Sequence, residues 1–147
     1  MGEQEKNPFS SFFTKEQYAT QTEMLDLAHK SQKLQIGIPK ETTLVESRVA
    51  LVPNIVRVLT GHGHRVVVES GAGEKSRFSD HHYSEAGAEV TSDKQNVFQS
   101  HVLLKVQPPT PDEIDFLTFN QMLISQLSIP IINDSYIKKL QSKKVTA

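Results

Sequence analysis

The sequence predicts an α/β domain in which a mostly parallel sheet is flanked by helices. The first observation is a βαβ unit: an apolar strand at residues 34–38, a charged loop, a helix opening at Pro53 and a strand at residues 65–69. The second is that strand-like and helix-like segments keep alternating to the end of the chain. Since parallel strands need a crossover connection, usually a helix, this alternation favours a parallel sheet.

Composition limits the partners that the protein can have. The 147 residues are 37% hydrophobic, which is enough for one domain with a sizeable core. A net charge of −1 argues against nucleic acid or an acidic membrane surface as a main partner. There is no cysteine, and so no disulfide or thiolate metal site. No apolar run approaches a membrane span and the N-terminus lacks a signal-peptide core, so we expect a cytoplasmic protein.

The chain begins with a segment that differs from the rest. Residues 1–11 are polar, and Thr14 with Gln17 forms a capping-box pattern that predicts a helix from about Lys15 to Lys30. Its thin apolar stripe suggests that this helix docks on the main domain or on another subunit. We therefore predict an N-terminal helical extension at residues 1–33 and a main domain at residues 34–147.

The first strand and helix of the main domain have clear boundaries. Pro39 stops the strand, and Pro53 opens the helix at the position where its missing amide costs nothing. Val52 then occupies the N-cap and cannot accept an amide hydrogen bond. Gly61 and Gly63 are expected to end the helix. The residues predicted to form its core face are Ile55, Val56, Val58 and Leu59.

Two glycines after the second strand invite comparison with a dinucleotide-binding loop. Gly71 and Gly73 fit the first two positions of G-x-G-x-x-G, but Ser76 stands at the third. No long apolar helix follows directly, as that motif requires. We therefore interpret the glycines as a tight turn.

The second half of the chain is predicted to consist of short elements. Ser79 and Asp80 can cap a helix that ends near Gly87, and Thr110 forms a second capping box with Glu113. The further predicted elements are a strand at 89–90, a helix at 93–99, a buried strand at 102–106, a helix opening at Pro111, a strand at 121–125, a helix at 134–141 and a strand starting at 144.

Several segments together resemble the N-terminal signature of the alanine dehydrogenase and pyridine nucleotide transhydrogenase family. The resemblance covers about residues 34–147 and departs from the family pattern at Val45, Val52 and Ile55. It implies a Rossmann/flavodoxin-like, substrate-side domain. The segments that carry it are GIPKE (37–41), ESRVALVP (46–53), VVVESGAG (66–73), SEAGAEV (84–90) and LLKVQPP (103–109).

The resemblance also implies an activity. Family members of this kind are oligomers that interconvert L-alanine with pyruvate and ammonia, using NAD as the hydride acceptor. The nucleotide-binding domain is expected after Ala147, so we expect this chain to be a fragment that neither turns over nor holds NAD by itself. Its small-molecule ligand would be alanine or pyruvate.

Arg48 is the first candidate for the substrate site. A guanidinium can grip a carboxylate with two bonds, and Glu46 or Glu41 could hold it in place. An exposed loop salt bridge of little energetic value is the structural alternative. The resemblance places Arg48 at the arginine that binds the substrate carboxylate, which favours function.

Lys105 is the second candidate, as both a substrate-binding and a catalytic residue. A lysine that ends an apolar strand is unusual, because an unpaired buried ammonium is costly. It could polarise the double bond of a ketone or an imine, or it could simply reach solvent at the sheet edge. The resemblance places it at the family's substrate-binding lysine.

One element of the family pattern is missing. Alanine dehydrogenases carry a histidine as general acid/base after the next strand, where this chain has Ser128, with Gln126 close by. Neither side chain exchanges protons near neutral pH as imidazole does. Two alternatives therefore stay open: the N-terminal domain of a transhydrogenase alpha subunit, and a non-enzymatic module that binds small carboxylates or a partner. The six histidines show no metal-ligand spacing, so no metal site is predicted.

Overall fold

Five parallel strands form one sheet in the computed structural model, which describes residues 33–127 and 133–147. The sheet has the order β3-β2-β1-β4-β5, and its parallel pairing confirms the predicted α/β class. The strands are β1 (Gln35–Ile38), β2 (Arg65–Glu69), β3 (Glu89–Thr91), β4 (Val102–Leu104) and β5 (Met122–Ile124).

Helices alternate with these strands along the chain, as predicted. Three predicted strands are shorter than expected. Those at 102–106 and 121–125 are reduced to β4 and β5, and the segment from Lys144 contributes a single parallel bridge, between Thr146 and Met122. The helices are α1 (Pro53–Gly61), α2 (Asp80–Glu85), α3 (Lys94–Phe98), α4 (Pro111–Phe116) and α5 (Asp134–Ser142), with a 3-10 turn at Glu74–Ser76.

The predicted helix at residues 15–30 lies outside the described residues, and the division of the chain at residues 33 and 34 stays a prediction. From Lys33 onward the described residues form one compact unit. No helix within residues 33–127 and 133–147 is long and apolar enough to cross a bilayer.

The predicted helix starts are present in the structure. At α4, the Glu113 amide donates to Thr110 Oγ1 at 3.2 Å and the Thr110 amide donates to Glu113 Oε2 at 3.0 Å, which completes the capping box. At α1, Pro53 is the first helical residue, and extended Val52 (φ −84°, ψ 155°) makes no side-chain cap bond. Local sequence signals therefore set both boundaries.

Each face of the sheet carries its own apolar core, because successive strand residues point to opposite faces. Within β2, Val66 and Val68 pack with α1 and α2, whereas Val67 packs with α3, α4 and α5. Buried residues of the first face include Ile36, Ile38, Val56 and Tyr83, and those of the second include Phe98, Leu103, Ile114, Leu123 and Tyr136.

The prediction that four apolar residues of α1 face the core was wrong for two of them. Val56 is buried and Leu59 packs partly against the core, but Ile55 is 47% exposed and Val58 52% exposed. Val56 and Leu59 are three residues apart and share one face of the helix, whereas Ile55 and Val58 are turned about 100° away from it.

Gly37 in the GIPKE segment allows helix α3 to lie close to strand β1. A Cβ at this position would collide with the Val97 carbonyl oxygen and would lie 2.8 Å from Ser100 Oγ. The glycines after β2 make a tight turn, as predicted, since Gly71 has φ +76°. A Cβ at Gly73 would lie 2.6 Å from Tyr83 Cε2, so packing explains this second glycine.

Candidate functional site

The candidate site lies where β1 and β4 end. These strands are neighbours in the sheet, with Gly37 opposite Leu103, although β2 and β3 lie between them in the sequence. The connection from β1 therefore runs to one side of the sheet, and β4 begins the other side. In open parallel sheets, ligands bind at the carboxyl ends of the strands beside such a reversal.

Lys105 follows the last residue of β4 and is buried between two carboxylates. Its side chain is only 1% exposed, and its Nζ lies 3.4 Å from Glu41 Oε2 and 3.3 Å from Glu113 Oε2. The structure therefore excludes the alternative in which this lysine reaches solvent. Two opposite charges offset the cost of burying the ammonium.

Glu113 belongs to helix α4 and connects Lys105 to a second lysine. Its Oε1 accepts a hydrogen bond from Lys94 Nζ at 2.8 Å. Burial by itself would raise the pKa of Glu113, but the Lys94 hydrogen bond, the charge of Lys105 and the Thr110 amide together lower it. The Glu113 carboxylate is thus ionised at neutral pH. The charges of Lys94 and Lys105 balance those of Glu41 and Glu113.

Arg48 lies in the loop after β1, where Glu46 holds it. Arg48 Nε donates to Glu46 Oε1 at 2.9 Å and Nη2 donates to Oε2 at 2.8 Å, a two-bond pairing of the planar groups. The Arg48 hydrogen bonds, followed by one from Gln107, hold the pKa of Glu46 far below its usual range, and Glu46 in turn raises the pKa of Arg48. Of the two glutamates considered from sequence, Glu46 orients Arg48 and Glu41 pairs with Lys105.

The segment after β4 joins the two charged pairs. The Val106 amide donates to Glu41 Oε1 at 2.7 Å, and Gln107 Nε2 donates to Glu46 Oε2 at 2.8 Å. Both glutamates of the β1 loop are thereby tied to the residues that follow Lys105. The structure brings the neighbourhoods of Arg48 and Lys105 to one end of the sheet.

The pairing leaves part of Arg48 available to a ligand. Its side chain is 67% exposed, while Glu46 beneath it is 5% exposed. Glu46 occupies one edge of the guanidinium, and among the described residues Nη1 has no hydrogen-bond partner. An exposed, oriented guanidinium at the same end of the sheet as a buried ammonium suits a small ligand with a carboxylate and a neighbouring carbonyl oxygen.

Sequence reasoning missed Glu113, Lys94 and Gln107 at this site. For Glu113, the sequence pattern indicates only the capping box with Thr110. For Gln107, its position two residues after Lys105 is the sequence feature that could have indicated a place in the site. Nothing local indicates Lys94, which is 19 residues from its partner Glu113.

The positions that replace the family's histidine are only partly described. Ser128 lies outside the described residues. Gln126 is exposed and follows β5, and its backbone N–H donates to the Val106 carbonyl at 3.3 Å.

Some of the described histidines accept hydrogen bonds from backbone amides. His64 Nδ1 accepts from the Leu34 amide at 3.2 Å, and His101 Nδ1 accepts from the Gln35 amide at 3.0 Å. Within the described part of the chain, no group of three or more His, Cys, Asp or Glu side chains could hold a metal ion.

Comparison with known proteins reveals similarity over most of the chain. The family model "Alanine dehydrogenase/PNT, N-terminal domain" matches residues 37–147. The alanine dehydrogenase of Bacillus subtilis (strain 168) is 38% identical over 112 residues, which are 76% of this chain and 29% of that protein. The alanine dehydrogenase of Staphylococcus haemolyticus (strain JCSC1435) is 36% identical over 96 residues, 65% of this chain and 26% of that protein.

Solved structures agree with these relatives. An L-alanine dehydrogenase superimposes with a TM-score of 0.72 at 32% identity, over 76% of this chain and 31% of the other. A transhydrogenase from Sinorhizobium meliloti gives a TM-score of 0.68 at 32% identity, over 76% and 32%. The chain thus spans less than a third of the length of each of these four proteins.

Proposed function

The chain belongs to the alanine dehydrogenase/PNT N-terminal domain family, and from this premise we propose that it is the substrate-side domain of an NAD-dependent alanine dehydrogenase-like oxidoreductase. The complete protein would convert L-alanine, NAD⁺ and water to pyruvate, ammonia, NADH and a proton. The observation that carries the proposal is the placement of Arg48 and Lys105 at one end of the sheet, each oriented by its own glutamate.

Arg48 would hold the substrate carboxylate. A guanidinium stays charged at all relevant pH values and offers several donors in a fixed plane. Because the buried Glu46 carboxylate already orients this plane, less side-chain freedom is lost when a ligand binds. The exposure of Arg48 makes it the group that an entering carboxylate meets first.

Lys105 would donate a hydrogen bond to the carbonyl oxygen of the substrate. A positive charge at this oxygen stabilises the negative charge that develops there when the neighbouring carbon is attacked. The carboxylates of Glu41 and Glu113 hold Nζ in place from distances of 3.4 Å and 3.3 Å. Because the Lys105 side chain is almost fully buried, ligand entry requires a local opening of the surrounding residues.

The turn after β2 does not form a dinucleotide-binding loop. This turn contains a 3-10 helix, whereas the motif needs a long helix with a free N-terminus. The close packing of Tyr83 explains why residue 73 is a glycine. We therefore assign the cofactor, which accepts hydride when bound, to a different part of the complete protein. A cytoplasmic homo-oligomer is part of the same proposal.

A second candidate is the corresponding domain of a transhydrogenase alpha subunit. The observation that favours it is the absence of histidine among residues 126–130. In that case the domain would have a mainly structural role, and the complete protein would exchange hydride between nucleotides without using alanine.

A pyruvate titration of the full-length polypeptide that contains this chain tests the proposal. We expect saturable binding that weakens about 10-fold or more in Arg48→Ala, since a charge-assisted hydrogen bond contributes about 1.5–3 kcal/mol. Arg57→Ala is the matched control, because Arg57 lies on α1 outside the site. Absence of binding at millimolar pyruvate would overturn the proposal, and alanine-dependent reduction of NAD⁺ separates the dehydrogenase from the transhydrogenase.

A further inference from the structure

Three buried side-chain atoms lack a hydrogen-bond partner among the described residues: Glu41 Oε2, Lys105 Nζ and Ser125 Oγ. Glu41 follows β1, Lys105 follows β4 and Ser125 follows β5, and these strands are consecutive neighbours in the sheet. Buried polar groups in proteins are nearly always paired, so each exception requires an explanation. Here all three occur at the end of the sheet where ligands bind in folds of this type.

The strand register places Ser125 beside Lys105. Leu104 pairs with Ile124, and the ladder continues as the Lys105 amide donates to the Ile124 carbonyl at 3.0 Å. Because side chains alternate along a strand, Ser125 points to the same face as Leu123, and Lys105 to the same face as Leu103. Both leucines pack in the core under α3, α4 and α5, so Ser125 and Lys105 share that face.

The ion pairs do not complete the hydrogen bonding of this cluster. Lys105 Nζ lies 3.4 Å from Glu41 Oε2, yet neither atom has a hydrogen bond of good geometry. An ammonium has three donors and a hydroxyl has one, whereas a ligand carbonyl oxygen has two lone pairs. Lys105 and Ser125 can therefore both donate to one such oxygen.

We propose that Ser125 is a substrate-binding residue, whose hydroxyl and the Lys105 ammonium donate to the same oxygen of a small 2-oxo carboxylate. The inference rests on the proposed function and adds a residue to its site. Glu41 Oε2 supplies an acceptor beside this oxygen, which suits the N–H group of the corresponding imine or amine. The bound ligand extends from Arg48 at the β1 loop to Ser125 at the end of β5.

The test compares Ser125→Ala with the wild type in the full-length polypeptide, by pyruvate titration and by thermal unfolding without ligand. We expect pyruvate affinity to fall about 10-fold. The melting temperature should stay equal or rise, because the substitution removes an unpartnered buried hydroxyl. Ser125→Thr retains the hydroxyl and should retain most of the affinity.

Ser100→Ala is the matched control, because Ser100 is also buried but its Oγ accepts a hydrogen bond from Gln35 Nε2 at 3.4 Å. It should lower the melting temperature and leave affinity unchanged.

If the wild type binds pyruvate and Ser125→Ala binds it equally well, the inference is wrong and the proposed function stands. If Ser125→Ala loses affinity only together with stability, Ser125 is structural. If the wild type binds no pyruvate, the proposed function itself fails.

Discussion

The ammonium of Lys105 lies 3.3 Å from a carboxylate oxygen of Glu113, and both side chains are almost completely buried. Strand β4 places the lysine and the first turn of α4 places the glutamate. The same Glu113 closes the capping box of its helix and binds Lys94. One residue therefore links the start of a helix to the charge state of the candidate site.

Glu113→Gln should destabilise the protein in a pH-dependent way. Its carboxyl pKa is lowered in the folded state, relative to about 4.3 in an unfolded chain. Its contribution to folding is therefore complete above that value and is lost as the pH falls through the folded-state pKa. We expect a loss of about 2 kcal/mol at pH 7 that shrinks below about pH 4. Urea unfolding of both proteins from pH 7 to 3 measures this difference, and parallel stability curves would contradict it.

Arg48→Lys should weaken pyruvate binding nearly as much as Arg48→Ala. Lysine keeps the positive charge but loses the planar group that pairs with both oxygens of Glu46. We expect the dissociation constant to rise about 10-fold or more. Calorimetric titration of the full-length polypeptide gives this value. An affinity within about twofold of wild type would mean that a point charge suffices.

Gly37→Ala should destabilise the protein by about 2 kcal/mol, because the added methyl group would collide with the backbone at Val97. Gly61→Ala is its counterpart at the end of α1, where a Cβ would meet no atom within 4 Å. It should stabilise the protein by about 0.5 kcal/mol by restricting the unfolded chain. Chemical denaturation of the two variants should give shifts of opposite sign. Equal shifts would show that the contact between β1 and α3 is not close.

Val52→Ser should stabilise the protein by about 1 kcal/mol. Val52 has the extended backbone of an N-cap but no group that can accept an amide bond from the first turn of α1. Val52→Ala controls for the loss of the apolar side chain, which is partly exposed. Identical melting temperatures for Val52→Ser and the wild type would disprove the prediction.

Local signals explain why the elements and their boundaries could be predicted. The hydrogen bonds between Thr110 and Glu113, and the proline at the start of α1, involve residues within one helical turn, so the sequence pattern contains both partners. The exposed Ile55 and Val58 show the limit of such reasoning. The apolar pattern indicates that α1 has a core face, but the sheet decides which residues form it.

Gln121 illustrates the same limit for a polar residue. Nothing in the sequence suggested a role for it. In the structure it is buried, and its Nε2 donates to the carbonyls of Phe98 and Ser100. These acceptors lie 23 and 21 residues away, at the end of α3 and on the connection from α3 to β4. Only the pairing of β4 with β5 brings them together.

The sequence by itself determined the α/β class, the order of the elements, and Arg48 and Lys105 as the residues to examine, because each depends on neighbouring residues or on a motif read along the chain. The tertiary structure alone decided that Glu41 and Glu113 enclose Lys105, that Glu46 and Gln107 position Arg48, and that the register of β4 and β5 aligns Ser125 with Lys105. The physical reason is that strand order brings together groups as much as 65 residues apart, and burial then makes each charge depend on its partner.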